Sequence, residues 1–223
     1  MSFVKLKGKY EYMPHTIIPN GRADSFAGKY GLGVRHNTIW TPEPELETVY
    51  HVIPNRYWKD FQVTRMSINS LLLPHVDNDF ITTINFYYDP QNYRTVFFKP
   101  KPDAQSWKTE EDRHNNVAVG MLADDNVNVE ELKTKMKDFV AEKQNMASCE
   151  EITYVDAVYT FDDVYEIGSF VAQPSEAYML DVRIPHNVEP LGETAGLRKA
   201  FALRTRHYDY GQVYEMLKET GHL

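Results

Sequence analysis

His75 and Asp77 stand one residue apart in His-Val-Asp, and His186 appears far downstream within Ile-Pro-His-Asn-Val-Glu-Pro. Two imidazoles and one carboxylate are the donor set of a facial triad, which holds one face of a non-haem Fe(II) and leaves the other face open for substrates and dioxygen. The set would also accept Zn(II), Mn(II), Co(II) or Ni(II), so geometry and supply would choose among them. Side chains at i and i+2 of an extended strand point to the same side. His75 and Asp77 therefore converge without strain, whereas folding must bring His186 to them. Arg198 follows at the start of an apolar run. A guanidinium is always charged and fits a carboxylate in a two-pronged fork, so a fixed cation there could bind the carboxylate of a cosubstrate. Taken singly, His-x-Asp is a common surface turn, His186 a loop residue between prolines, and Arg198 a solvated strand-end charge. All four in this order, each at a strand boundary, are hard to obtain by chance.

The elements that must position these residues read as strands. The first sixty or so residues are punctuated by Pro14, Pro19, Asn20-Gly21, Gly31, Gly33, Pro42, Pro44 and Pro54, which predicts short strands and loops covering something else. Phe61 to Leu73 is strand-like up to Pro74, His75 to Asp79 is a polar turn, and Phe80 to Tyr88 and Tyr93 to Lys99 are strands separated by Asp89-Pro-Gln-Asn92. Hairpin following hairpin predicts an antiparallel sheet. Lys101 to Asp125 is polar and reads as a long loop, polar enough to move when a site is empty. Asn128-Val-Glu-Glu131 has the form of a capping box, and Val129, Leu132, Met136, Phe139 and Val140 follow at helical spacing, so a helix is expected from about Val129 to Lys143. Strand character returns over Glu151 to Tyr159, Tyr165 to Ala172, Tyr178 to Ile184 and Leu197 to Thr205, and Asp209 to Lys218 closes the chain as a helix with Gly221 just beyond. The sum is a mainly β domain, a double-stranded β-helix or jelly roll of the cupin kind, with one inserted helix and one C-terminal helix. We read residues 1–223 as a single domain, with core strands over about 61–99 and 151–206 and an insertion over about 100–150.

Bulk composition narrows the function classes. A formal net charge of -8 argues against broad contact with a phosphate backbone, so nucleic acid is disfavoured as a partner. One cysteine, Cys149, excludes an internal disulfide and fits a reducing, cytoplasmic setting. No apolar segment is long enough for a signal peptide or a membrane helix. The 15 tyrosines and 11 phenylalanines suit broad sheets. Gly31-Leu-Gly33 lacks the third glycine and the following helix of a dinucleotide fingerprint.

At the motif level the chain resembles the Fe(II)- and 2-oxoglutarate-dependent oxygenases, in the branch that includes prolyl hydroxylases and uncharacterised bacterial and phage oxygenases. The resemblance is carried by Leu-Leu-Pro-His75-Val-Asp77-Asn, by Thr-Thr-Ile-Asn-Phe-Tyr-Tyr-Asp-Pro and Tyr-Arg-Thr-Val-Phe-Phe-Lys, by Tyr-Met-Leu-Asp-Val-Arg-Ile-Pro-His186-Asn-Val-Glu-Pro, and by Leu-Arg198-Lys-Ala-Phe-Ala-Leu. It covers roughly Phe61 to Lys99 and Ser175 to Arg204. It implies that His75, Asp77 and His186 bind Fe(II), that Arg198 pairs with the distal carboxylate of 2-oxoglutarate, and that O2 is consumed as a C–H bond is hydroxylated, with release of succinate and CO2. A tyrosine on the strand after the His-x-Asp turn often shares that carboxylate in the family. Tyr87 and Tyr88 compete for the role. Tyr87 is preferred because Ile81, Thr83, Asn85 and Tyr87 form the more polar face, against Phe80, Ile84, Phe86 and Tyr88 on the apolar one. The chain departs from the family in two places. Ala200 stands where many relatives carry Ser or Thr, which keeps Arg204 and Arg206 open as alternatives to Arg198. Tyr93-Arg94-Thr95 replaces a usual glycine pair. The competing readings are a cupin-like metalloprotein that ignores 2-oxoglutarate and a non-enzymatic β-sandwich interaction module. The substrate, peptidyl or small-molecule, and the assembly state are not legible in the residues.

Overall fold

A computed structural model describes residues 2–11, 22–25, 34–39, 47–68, 70–72, 74–77, 80–104, 107–110, 120–122, 154–191 and 198–223. In chain order the strands are β1 (Phe3–Lys5), β2 (Arg22–Ser25), β3 (Val34–Ile39), β4 (Phe61–Ile68), β5 (Ser70–Leu72), β6 (His75–Val76), β7 (Thr82–Asp89), β8 (Tyr93–Pro100), β9 (Trp107–Glu110), β10 (Gly120–Leu122), β11 (Tyr154–Val158), β12 (Val164–Phe170), β13 (Glu176–Asp181), β14 (His186–Pro190) and β15 (Arg198–Thr205). Helix α1 spans Glu47–Tyr50 and α2 spans Tyr210–Glu219.

Two antiparallel sheets face one another. The larger has the order β1-β13-β7-β15-β4-β3-β2 and the smaller β12-β8-β14-β6-β11-β9, while β10 and β5 form a separate pair. From β4 the chain passes to β6 in the smaller sheet, back to β7, across to β8 and its neighbour β12, and then alternates through β13, β14 and β15. Strands that cross between the sheets from β4 to β8 and again from β12 to β15 make a jelly roll, while β2, β3 and β4 pair in chain order along one edge of the larger sheet. The protein is thus mainly β, with the expected C-terminal helix.

Several expected details differ. Hairpin does not follow hairpin: β7 and β8 lie in different sheets, so Asp89-Pro-Gln-Asn92 is a crossing between layers, helped by Gln91 at φ 51. A two-strand pattern in sequence cannot distinguish the two, because both need the same turn residues. The Phe61 to Leu73 strand divides into β4 and β5. The polar stretch Lys101 to Asp125 is not all loop, since it contains β9 and β10. β9, at a sheet edge, reads Trp-Lys-Thr-Glu and β10 is only three residues long, so neither shows the apolar alternation that marks a strand in sequence. Tyr178 to Ile184 ends as a strand at Asp181 and turns through Val182 to Ile184 before His186. The expected helix from Val129 to Lys143 lies outside the described residues.

The two central strands are buried on both faces. β7 reads TTINFYYD and β15 RKAFALRT, with almost every residue inaccessible. On the outer side, Ile84, Phe86, Phe201 and Leu203 pack against Val213, Met216 and Leu217 of α2 and against Val49, Val52 and Ile53. On the inner side, Tyr87, Phe97, Phe170, Tyr178 and Ala200 fill the space between the sheets. Phe170 and Tyr178 stack at 4.0 Å between centroids, and Phe3 of β1 reaches in against Phe97 at 5.3 Å. Each such buried ring contributes about 2–3 kcal/mol from burial alone. Phe80 belongs to the inner cluster, not to the face of Ile84 and Phe86, because it precedes β7 and escapes that strand's alternation. Helix α2 begins with a capping box between Asp209 and Gln212 and ends where Gly221 takes φ +79, with His222 N–H donating to Leu217 C=O at 2.8 Å.

Candidate metal centre

β6 is only two residues long, yet it is wedged between β14 and β11. Its register sets His75 opposite His186, and the two rings lie 4.6 Å apart at 46°. Pro74, which ends the preceding run, keeps its carbonyl in use by accepting from Tyr159 N–H at 2.8 Å. Asp77 lies just past the end of β6 and is held by its own N–H donating to Val182 C=O at 3.0 Å. Donor atoms of His75, Asp77 and His186 all lie within 4.8 Å of one another, a spacing that could hold a metal ion. Asp77 Oδ1 is 3.6 Å from His75 Nε2.

The local chemistry fits a metal. His186 Nδ1 lies 2.9 Å from the Ile184 carbonyl, which can only accept, so Nδ1 carries the proton and Nε2 presents its lone pair. Fixing one nitrogen through a backbone carbonyl is how ligating imidazoles are oriented. Burial, and then the neighbouring His75, lower the His186 pKa to about 4, so the ring is neutral at physiological pH, as a ligand must be. Phe97, with its centroid 5.8 Å from that ring, supplies an apolar wall.

Arg198, at the first position of β15, is only 1% exposed. Its Nη2 donates to Thr95 Oγ1 at 2.7 Å, and its Cζ lies 4.8 Å from the centre of the Tyr87 ring. Nε and Nη1 are buried with no hydrogen-bond partner, and no carboxylate pairs with this guanidinium among the described residues. The Tyr93 hydroxyl is likewise buried without a partner; burial pushes its pKa up to about 12, against the opposing pull of the nearby Arg198 charge. Unpaired buried charge is among the most expensive arrangements in a protein. Here it forms a cradle of one cation and two hydroxyls inside the jelly roll. Its chemistry matches an entering carboxylate.

Tyr87 and Tyr88 point to opposite faces. Tyr87 lies between the sheets beneath Arg198, and its hydroxyl receives a hydrogen bond from Asn85 Nδ2 at 3.3 Å, whereas Tyr88 packs against Phe201 on the outer side. Arg204 is six residues along β15 from Arg198, roughly 20 Å away at the rise of a strand, and pairs with Asp77. Arg206 packs over Phe80 with Cζ at 4.9 Å. Two participants escaped the sequence reading. Tyr93 and Thr95 share the inward parity of Phe97 on β8, a signal that was present in the alternation. With Ala200 unable to offer a hydroxyl, the one bonded to Arg198 comes from Thr95 in the opposite sheet. The link between Arg204 and Asp77 had no local signal.

No known protein family's sequence profile matches the chain. No curated protein matches it either. Among solved structures it is similar to E. coli ycfD, at 8% identity and a TM-score of 0.37, with 93% of this chain and 39% of that one covered. It is also similar to procruciferin, an 11S globulin from Brassica napus, at 8% identity and a TM-score of 0.31, with 89% of this chain and 33% of that one covered. The chain therefore spans well under half the length of either. No helix among the described residues is long and apolar enough to cross a membrane.

Proposed function

We propose that the protein is a non-haem Fe(II)- and 2-oxoglutarate-dependent dioxygenase that hydroxylates a C–H bond of a peptidyl or small-molecule substrate. One atom of O2 enters the product alcohol and the other enters succinate as CO2 leaves. The observation that carries this reading is Arg198, buried and without a carboxylate partner among the described residues, inside the same jelly roll as His75, Asp77 and His186. A metal site alone would not need that cation. A dicarboxylate with one end on a metal and the other on a guanidinium accounts for both.

The bound metal would supply activation of dioxygen at its open face. The chain's own residues would do the rest. His75, Asp77 and His186 would hold the metal through two nitrogens and one carboxylate oxygen. Arg198 would take the distal carboxylate, assisted by Thr95 and by the hydroxyl of Tyr93, while the Tyr87 ring supports the guanidinium from one face. Phe97 and Phe170 would exclude water around the cosubstrate chain.

The test is anaerobic addition of Fe(II) and then 2-oxoglutarate to metal-free protein, followed by visible absorbance. A weak charge-transfer band that requires both, and is lost in His186→Ala, is expected. Metal uptake with no band would favour a cupin-like metalloprotein that makes no use of 2-oxoglutarate. Absence of metal uptake would mean that the triad is structural.

A further inference from the structure

We infer that Arg204 is a positioning residue that keeps Asp77 a one-oxygen ligand and so preserves the third open position on the metal. The inference rests on the metal-centre reading above and concerns how this chain shapes that centre.

The Asp77 carboxylate is divided between two neighbours. Oδ1 lies toward His75, 3.6 Å from Nε2, and Oδ2 accepts from Arg204 Nη2 at 3.0 Å. Both side chains are largely buried, at 17% exposure for Arg204 and 19% for Asp77, so water competes poorly for the pair. The guanidinium is held in place. Its Cζ rests 4.1 Å from the centre of the Phe80 ring, and its backbone sits in β15 between Gln62 of β4 and Thr83 of β7. The carboxylate is held from its other end by the bond from Asp77 N–H to Val182 C=O. Neither partner has freedom to turn.

Coordination arithmetic gives the arrangement its consequence. Two imidazoles and one carboxylate oxygen leave three open positions on an octahedral ion. If both oxygens of Asp77 bound the metal, two would remain, enough for a chelating 2-oxo acid or for dioxygen but not for both. A short, mobile aspartate beside a hard cation readily takes two-oxygen coordination. A guanidinium committed to Oδ2 prevents it, because turning that oxygen onto the metal would break its hydrogen bond from Arg204 and bring two cations together.

The experiment uses the full chain loaded with Mn(II) in the absence of 2-oxoglutarate and reads water-proton relaxation, which counts exchanging water ligands. Arg204→Met should lower the relaxation enhancement per bound Mn(II) by about a third, as three water positions become two. Arg204→Lys, which keeps a donor to Oδ2, should hold the wild-type value. Should Arg204→Met fail to fold, Phe80→Leu carries the same test, since it loosens the guanidinium while leaving both charges in place; an intermediate fall is then expected. Unchanged relaxation in Arg204→Met, or in Phe80→Leu where that variant is used, would overturn the inference while leaving the metal centre intact. An equal fall in Arg204→Lys would indicate disturbed packing and overturn it too. Failure of the wild-type chain to take up Mn(II) would remove the metal reading itself, and this inference with it.

Discussion

Replacing Arg198 with methionine should stabilise the protein when no cosubstrate is present. The side chain is 1% exposed and makes one hydrogen bond, to Thr95, and one ring contact, to Tyr87. Losing the charged hydrogen bond costs about 1.5–3 kcal/mol and losing the ring contact about 1 kcal/mol. Against this stand two buried guanidinium nitrogens, Nε and Nη1, with no partner among the described residues, at about 1–3 kcal/mol each. The desolvation of an uncompensated ion adds several kcal/mol more. With the losses taken at their high end and the gains at their low end, the balance still favours methionine by about 2 kcal/mol, or roughly 4–8 °C in melting temperature for a domain of this size. The assay is thermal unfolding of the manganese-loaded protein under anaerobic conditions, with and without 2-oxoglutarate. The wild type should gain about 2.7 kcal/mol with ligand at a hundred times its Kd, and Arg198→Met should gain nothing. A methionine variant that melts lower than the wild type and still rises with 2-oxoglutarate would refute the reasoning.

Other expectations concern the same interior. Tyr93→Phe removes a buried hydroxyl with no partner among the described residues, so the empty protein should be unchanged or up to about 1 kcal/mol more stable in denaturant titration, while the 2-oxoglutarate requirement rises; an unchanged requirement would take Tyr93 out of the cradle. Burial keeps His186 neutral in the folded chain down to about pH 4, whereas the unfolded chain protonates near pH 6.5. Because the folded pKa is depressed, the metal-free protein keeps full stability above pH 6.5 and loses about 3 kcal/mol as the pH falls through 4. His186→Gln should flatten that slope relative to the wild type. His75→Ala, Asp77→Ala and His186→Ala should each abolish uptake of micromolar iron measured by equilibrium dialysis, and an undiminished iron content in any one would exclude that residue. Phe97→Ala opens a cavity against His186 and should destabilise the fold by about 3–5 kcal/mol in chemical unfolding.

The mainly β architecture was legible because β7 and β8 are rich in β-branched and aromatic residues bounded by turn signals, and α2 because Asp209 and Gln212 announce its start. Which sheet each strand would join was not legible. The step from β7 to β8 has the residues of a hairpin, and only the packing of two layers makes it a crossing. At the site, residue types and order picked out His75, Asp77, His186 and Arg198, since the donor chemistry is written in the side chains themselves. Thr95 and Arg204 were different. One partners Arg198 from the facing sheet and the other meets Asp77 from a neighbouring element, and although the inward parity of Thr95 is written in β8, neither pairing leaves a local trace. The missing hydroxyl at Ala200 was visible as a gap, but its replacement from across the sandwich was not.

The single rung that joins β6 to β14, His186 opposite His75, also bears on when the site comes into being. Contacts between distant parts of a chain form late, after the entropy of closing long loops has been overcome. A partly folded chain therefore holds Asp77 and His75 near each other but has no third donor, and it offers a metal only a weak two-donor grip. The centre is completed only when β14 docks beside β6. Arg198 comes from β15, farther along the chain still and in the opposite sheet. If the site takes the metal proposed above, the order of folding would act as a safeguard: the chain would not hold a redox-active ion firmly until the walls that would confine its chemistry are in place.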